Sequence, residues 1–431
     1  MICNNITVNN DGVLCFGGKS TVELAKKYGT PLYVFDENTI LDNCRVYVNA
    51  MKKYFDNSRV LYAGKAACFK RIYEIIKDTE MYIDVVSSGE IYTALSAGFP
   101  LERAYFHGNN KTDYDIEFAI DNSVGCFVVD NFEELLSIDN IAKQKNTVQP
   151  ILLRVTPGID PHTYEAVATG KVDSKFGSSI ETGDAERITA KALELENVLL
   201  KGFHCHVGSQ VFDSEVFIDS GKIMFRFISL IKEKYGYEAE QLNLGGGYGV
   251  RYVEGDPEID IDKNIEQLSN ELKKQAAEFS VKMPTVLLEP GRSIVADAGM
   301  TLYTVGTVKQ IKGYKNYVSI DGGMTDNPRY ALYKSDYTVF LANKAQEKCD
   351  FPCSLVGRCC ESGDIIKENA VFPKSVRRGD IVAVATTGAY NYSMASNYNR
   401  IPRPAVVVLS DGNDKLAVKR ESFEDLIKND L

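Results

Sequence analysis

From residue 59 the chain repeats one pattern eight times: a short β-branched or aromatic run, then a longer amphipathic stretch. Parallel strands need crossover connections, so this order predicts parallel strands joined by helices. The runs are RVLYAGK (59–65), MYIDVVS (81–87), AYFHGN (104–109), CFVVDN (126–131), PILLRVT (150–156), LLKGFHCHV (199–207), QLNLGGG (241–247) and TVLLEPG (285–291). Between them lie helical patterns such as FEELLSIDNIAK, DAERITAKALELEN and IEQLSNELKKQAAEF, with acidic residues toward their starts as the helix dipole favours. Eight units predict an α/β fold, a (β/α)8 TIM barrel. Lys65, Asp84, His107, Arg154, His206, Gly245 and Glu289 all fall near the C-terminal ends of their runs. Those ends converge on one mouth in a barrel, which favours it over a doubly wound sheet.

A barrel takes about 250 residues, so a chain of 431 has room for a second domain. After residue 293 helical periodicity largely stops, and apolar runs recur between turn signals, as in TLYTVGTVKQI, NYVSIDGG, CSLVGRCC, DIVAVATTG, PAVVVLS and KLAVKR. The first 35 residues also read as β (GVLCFGG, PLYVFD). The expected division is a barrel over 36–293 and a mostly β domain, barrel- or sandwich-like, built from 1–35 plus 294–431.

A net charge of −10 argues against nucleic-acid or anionic-membrane partners, which need a basic surface. No basic flank precedes an apolar stretch at the N-terminus, and no run approaches the ~18 apolar residues of a membrane span, so a cytoplasmic location is expected. The ten scattered cysteines suit free thiols in a reducing compartment. Cys349, Cys353, Cys359 and Cys360 lack paired C-x2-C spacing, and no metal site is expected from them.

Several residues carry chemistry only in combination. Lys65, at the end of a buried-looking strand, reads alone as a lysine leaving for solvent, or as a Schiff-base former. His204-Cys205-His206-Val207-Gly208-Ser209-Gln210 ends the sixth run and Gly245-Gly246-Gly247 the seventh; three glycines let backbone N–H groups approach a phosphate, a habit of late barrel loops. Ser209 adds a hydroxyl, and His206 can stack on a flat ring. Glu289, in Glu289-Pro290-Gly291-Arg292-Ser293, would keep a heteroaromatic nitrogen protonated, while Arg292 offers a fork for a carboxylate. Together these describe a pocket for pyridoxal 5'-phosphate.

YAGKA, DVVSSGE, HVGSQ, GGGYG, EPGRS, CESGD and GAYNYSMASNYN occur in the order seen in fold-type III pyridoxal-phosphate decarboxylases, the group that includes ornithine decarboxylase and alanine racemase relatives. The chain resembles most closely the diaminopimelate decarboxylase family, over about residues 30 to 405. The stretch 158–177 is similar too, through His162-Thr163 and its SKFG ending, while Tyr164 and Ala166 depart from the commoner pattern.

The resemblance implies decarboxylation of meso-2,6-diaminopimelate to L-lysine and CO2, the last step of lysine biosynthesis. It implies Lys65 as the Schiff-base lysine and His206 as the ring-stacking residue. Gly245, Gly246, Gly247 and Ser209 would hold the phosphate, Glu289 would face the pyridine nitrogen, and Asp84 and Arg154 would support ring and lysine. Gly291, Arg292 and Tyr390 complete the implied cofactor set. On the substrate side it implies Arg292, Arg329, Tyr333, Glu361 and Tyr390, with Cys360 or Lys65 returning the proton after CO2 leaves. A diamino diacid needs arginines at its carboxylates and an acid such as Glu361 at its distal ammonium. The resemblance also implies a homodimer in which CESGD serves the opposite subunit's site. Cys360 retains a second reading as a buried strand thiol. Two rivals stand: a relative acting on arginine, ornithine or carboxynorspermidine, which would not need Arg329, and a non-catalytic cofactor-binding protein, which would have lost Lys65 or Cys360.

Overall fold

Eight of the β-branched runs become strands because each is largely apolar and buried on both faces, as a parallel sheet covered by helices requires. They are β1 (Ser58–Ala63), β2 (Tyr82–Val85), β3 (Ala104–Phe106), β4 (Cys126–Val129), β5 (Gln149–Thr156), β6 (Val198–His204), β7 (Gln241–Asn243) and β8 (Thr285–Leu288). The structure is a computed structural model and describes residues 1–158 and 174–431, so His162, Thr163, Tyr164 and Ala166 lie outside the described residues. Each strand pairs in parallel with the next, and β8 pairs with β1, closing the expected (β/α)8 barrel. Leu61, Tyr105, Cys126, Val128, Leu152 and Leu287 pack together as a core cluster of this unit.

The connecting helices follow their caps. Ser87 accepts from Glu90 N at the start of Ser88–Ser96, Asn131 from Glu134 N before Phe132–Gln144, and Asp260 from Lys263 N before Ile261–Glu278. Each cap satisfies one amide the helix itself cannot.

The chain divides into two compact units: Cys44–Gly249 with Glu258–Gly291, and Met1–Asn43 with Val250–Pro257 and Arg292–Leu431. Against the expected boundaries at 36 and 293, the first moves to between Asn43 and Cys44, the last to between Gly291 and Arg292, and the barrel gives up Val250–Pro257. This segment belongs to the β unit because Tyr252 is buried in that unit's core, and its carbonyl accepts from both the amide and the hydroxyl of Thr338.

In the β unit, one sheet runs Ile365–Pro373, Cys349–Val356, Asn316–Ile320, Gly299–Gln310, Leu32–Asp36, Ala405–Ser410, Asn413–Val418. Leu32–Asp36 lies between Gly299–Gln310, antiparallel, and Ala405–Ser410, parallel, so the sheet is built from both ends of the chain. The other N-terminal run behaves differently: Leu14–Phe16 joins a separate three-stranded sheet with Ile6–Val8 and Lys19–Ser20. In CSLVGRCC the strand stops at Val356, and Cys360 is exposed in the turn beyond it, which removes the reading of Cys360 as a buried strand thiol.

Candidate active site

All eight barrel strands point the same way, so the residues at their C-terminal ends share one rim. At its centre is Glu289, one residue beyond β8 and buried. Asn243, the last residue of β7, donates Nδ2 to Oε1 at 2.6 Å, and His204, the last of β6, donates Nε2 to Oε2 at 3.1 Å. A carboxylate can only accept, so the donor roles are fixed. His107 Nε2, just past β3, stands 2.8 Å from Oε1, off the ideal hydrogen-bond direction. Burial pushes the Glu289 carboxyl up, but the two imidazoles override it and hold the group well below the usual range, so Glu289 is ionised. Burial also drives His204 down to about 4, making it a neutral donor. The three side chains are compact enough to hold a metal ion. Their N–O separations of 2.8 and 3.1 Å are those of hydrogen-bonded groups, closer than zinc ligands stand around an ion at ~2.0–2.1 Å.

Beside Glu289 the glycine loop turns back on itself. A Cβ on Gly246 would lie 2.1 Å from the Glu289 carbonyl, and one on Gly247, at φ +107°, 2.1 Å from the Gly208 carbonyl. Only glycine permits that approach. The three glycines are not equivalent as phosphate donors. Gly245 N–H already donates to Asn243 Oδ1 at 2.9 Å, and Gly246 N–H is directed at His206 Nδ1 at 3.3 Å. Gly247 N–H has no such partner among the described residues. His206, two residues past β6, is half-buried; burial and then the charges of Lys65 and Arg154 hold its imidazole well below its usual value, so it presents a neutral ring.

Lys65 sits on the 3-10 turn Gly64–Ala66 directly after β1, and its side chain is exposed. Its charge acts on Asp84, Glu90 and His206. Asp84, in β2, is buried and raised, by burial first and by Glu289 against the pull of His107, Lys65 and Arg154. Its Oδ1 has no hydrogen-bond partner among the described residues. Arg154, in β5, stands 4.0 Å from Asp130 and lies over the Phe176 ring at 4.4 Å. A glycine cradle that any side chain would fill, a buried ionised carboxylate, a neutral imidazole and an unpartnered aspartate oxygen fit a phosphorylated, protonated pyridine bearing a lysine-linked carbonyl. Gly291 is packed against β1, where a Cβ would meet that of Ala63 at 2.8 Å, so its role is to let the chain pass.

The remaining expected residues belong to the β unit. Arg292 and Arg329 are both buried, and both lie over the same two rings: Tyr390 at 4.8 and 5.6 Å, and Tyr252 at 5.8 Å from each. Arg292 Nη1 also donates to Tyr252 Oη at 2.7 Å, and Tyr333 lies 5.4 Å from Arg329. Arg329 reaches Ser335 Oγ at 3.2 Å but no carboxylate among the described residues. A buried cation against aromatic faces without an acid suits an anionic ligand. Cys360 and Glu361 are exposed on the turn after Val356. Asp364 ties that turn to the segment leading to Arg329, accepting from Cys359 N at 2.7 Å and Met324 N at 2.6 Å.

Sequence reasoning passed over His204, Asn243, Glu90 and Tyr252. His204 shares the motif that yields His206, and two-residue alternation along β6 was the available signal. Glu90, half-buried, caps Val86 N at 2.7 Å, and burial raises it to about 7. Asn243 and Tyr252 carried no signal, since each acts through partners distant in sequence.

Residues 41–296 match the family described as pyridoxal-dependent decarboxylase, pyridoxal binding domain. The chain is 47% identical to the diaminopimelate decarboxylase of Bacillus methanolicus over 96% of each chain, and 43% identical to that of Bacillus subtilis strain 168 over 98% of this chain and 96% of the relative. The crystal structure of diaminopimelate decarboxylase from M. jannaschii in complex with L-lysine aligns with a TM-score of 0.92 at 34% identity, covering 100% of this chain and 98% of that one. Among the described residues no helix is long and apolar enough to cross a membrane. With this barrel, this carboxylate site and near-full-length relatives, the chain belongs to the pyridoxal-dependent decarboxylases and, within them, to the diaminopimelate decarboxylase family.

Proposed function

We infer that the protein removes CO2 from meso-2,6-diaminopimelate to give L-lysine, using pyridoxal phosphate. The observation that carries the reading is Glu289, a carboxylate kept ionised in a buried site by His204, His107 and Asn243. Pyridoxal phosphate supplies an electron sink, its protonated ring accepting the electron pair left as the carboxylate departs.

Lys65 would supply the amine that holds the cofactor carbonyl. Glu289 holds the proton on the ring nitrogen, and the neutral imidazole of His206 gives a flat surface without adding charge. Gly247 N–H and the Ser209 hydroxyl take the phosphate, with Gly245 and Gly246 shaping the cradle. Asp84 and Arg154 balance the charge around Lys65. Arg292 and Arg329, braced by Tyr390 and Tyr333, bind the carboxylates of the diacid, and Glu361 takes the distal ammonium. Cys360 returns a proton to the carbon that lost CO2. Exposure of Cys360 and Glu361 suits a segment that completes the site of a second subunit, so the working form is a homodimer in the cytoplasm with shared sites. Arg329, buried with no acid beside it among the described residues, favours a diacid over arginine or ornithine.

The test is to incubate purified protein with pyridoxal phosphate and a panel of diamino acids while measuring CO2 and L-lysine. Release confined to meso-diaminopimelate is expected; preferred release from ornithine, arginine or carboxynorspermidine would replace the substrate, and no release from any would remove the function.

A further inference from the structure

We propose that Asn243 is a positioning residue that joins the ring-nitrogen end of the cofactor site to its phosphate end, so that the Glu289 carboxylate and the glycine cradle are set as one piece. The proposal rests on the functional reading above and deepens it.

Asn243 is completely buried at the last position of β7, where strand gives way to the glycine loop. Its amide works in both directions. Nδ2 donates to Glu289 Oε1 at 2.6 Å, and Oδ1 accepts from Gly245 N at 2.9 Å. Gly245 is gripped from its other side too, since its carbonyl accepts from Glu289 N at 2.8 Å. The three residues therefore close a ring of hydrogen bonds: side chain to side chain, backbone to backbone and backbone to side chain.

Its neighbours complete the geometry. Asn243 is in register with His204 on β6 and Leu287 on β8. His204 takes Oε2 of Glu289 while Asn243 takes Oε1, so two adjacent strand ends fix both oxygens and hence the plane of the carboxylate. The same amide decides where the loop begins: with Gly245 N–H turned inward to Asn243, the next peptides lie against the Glu289 and Gly208 carbonyls, and Gly247 N–H is the donor left for a phosphate. Among the natural side chains of this size only an amide is at once donor and acceptor at opposite faces. Aspartate keeps the acceptor for Gly245 but sets a second carboxyl against Glu289, so that one of the two takes up a proton and Glu289 no longer bears its full charge, and leucine keeps the volume but loses both contacts.

The experiment uses full-length apo-protein of the wild type, Asn243→Leu and Asn243→Asp. Three quantities are measured: the dissociation constant for pyridoxal phosphate by visible titration, the 15N chemical shift of the bound cofactor's ring nitrogen, and the thermal midpoint. For Asn243→Leu the expected result is cofactor affinity weakened about tenfold or more, the loss that follows from an unsatisfied buried amide, with the ring-nitrogen signal displaced. Asn243→Asp should bind cofactor more weakly than wild type but more tightly than the leucine variant, because Gly245 keeps its acceptor, and should show a displaced signal, because the new carboxyl and Glu289 then share a proton. If the leucine variant fails to fold, the aspartate variant decides. Ring-nitrogen signals at the wild-type position in the folded variants, with only the thermal midpoint lowered, would reduce Asn243 to structural support and overturn the proposal. Wild-type protein that takes up no cofactor would overturn the functional reading and this inference with it, whereas variants indistinguishable from loaded wild type overturn the inference alone.

Discussion

A carboxyl group buried as deeply as Glu289 ordinarily takes up a proton, because a low dielectric penalises the charge. Here the imidazoles of His107 and His204, with the Asn243 amide, hold the carboxyl as the ion, which keeps a charge available to a ring nitrogen. Glu289→Gln should therefore retain cofactor but lose about a hundredfold or more in kcat, since an amide cannot hold a proton on the pyridine nitrogen as a carboxylate does. Its own N–H2 would in addition oppose one of the donors now aimed at it. Parallel measurement of cofactor content and kcat checks this, and near-normal turnover would make Glu289 structural. Lys65 offers a second check at the same scale. Borohydride reduction of the cofactor-loaded protein should fix the cofactor on Lys65, read by peptide mass; label on another lysine would displace Lys65 from its role.

At the scale of elements, chemistry sits where regular structure stops. The segment between the strand Asn316–Ile320 and the helix Arg329–Tyr333 is organised by Asp326, completely buried, which accepts from Tyr303 Oη and Gly323 N. Burial raises this carboxyl to about 7, with a smaller contribution from Asp364. In the unfolded chain it ionises near 3.8, so the folded state holds its proton to higher pH. Stability from this group is thus full below about pH 4 and is lost as pH rises toward 7. Asp326→Asn cannot ionise, so relative to it the wild type should lose on the order of a few kcal/mol between pH 4 and 8, provided the asparagine keeps the Tyr303 and Gly323 contacts. Thermal midpoints of both proteins across that range measure the difference, and parallel curves would show that Asp326 does not titrate there. The same contrast explains what the sequence made legible. Strands β1 to β8 and the strand-end residues Lys65, Asp84, Arg154 and Glu289 follow from local alternation and from the shared polarity of parallel strands. The strand Ile365–Pro373 escaped because IIKENAVFP mixes charged and apolar residues on a partly exposed edge. Asn243, His204 and Tyr252 escaped for another reason: their meaning lies in partners 40 to 85 residues away, which no local pattern encodes.

At the scale of the whole molecule, the proposal of a shared site makes a prediction that two inactive proteins can settle. Lys65→Ala and Glu361→Ala should each be inactive alone and recover activity when mixed under subunit exchange. If Glu361 serves the partner's site, each mixed dimer holds one intact site and one doubly defective site; random exchange of equal amounts makes about half the dimers mixed and restores roughly a quarter of native activity. If Glu361 serves its own chain, every site carries one lesion and nothing returns. Exchange is verified with differently tagged chains, and lysine formed from meso-diaminopimelate is the readout.

The strand Leu32–Asp36 bears on how such a chain is made. It is buried on both faces, and its parallel neighbour Ala405–Ser410 is encoded about 370 residues later. At ribosomal speeds of roughly 5 to 20 residues per second, it waits on the order of 20 to 75 seconds between leaving the ribosome and meeting that neighbour. The barrel strands, each paired with the next in sequence apart from the closing pair, can assemble during that interval. The nascent chain thus carries an unpaired, mostly apolar strand through most of its synthesis, a natural substrate for a holding chaperone and a seed for aggregation when translation stalls before residue 405.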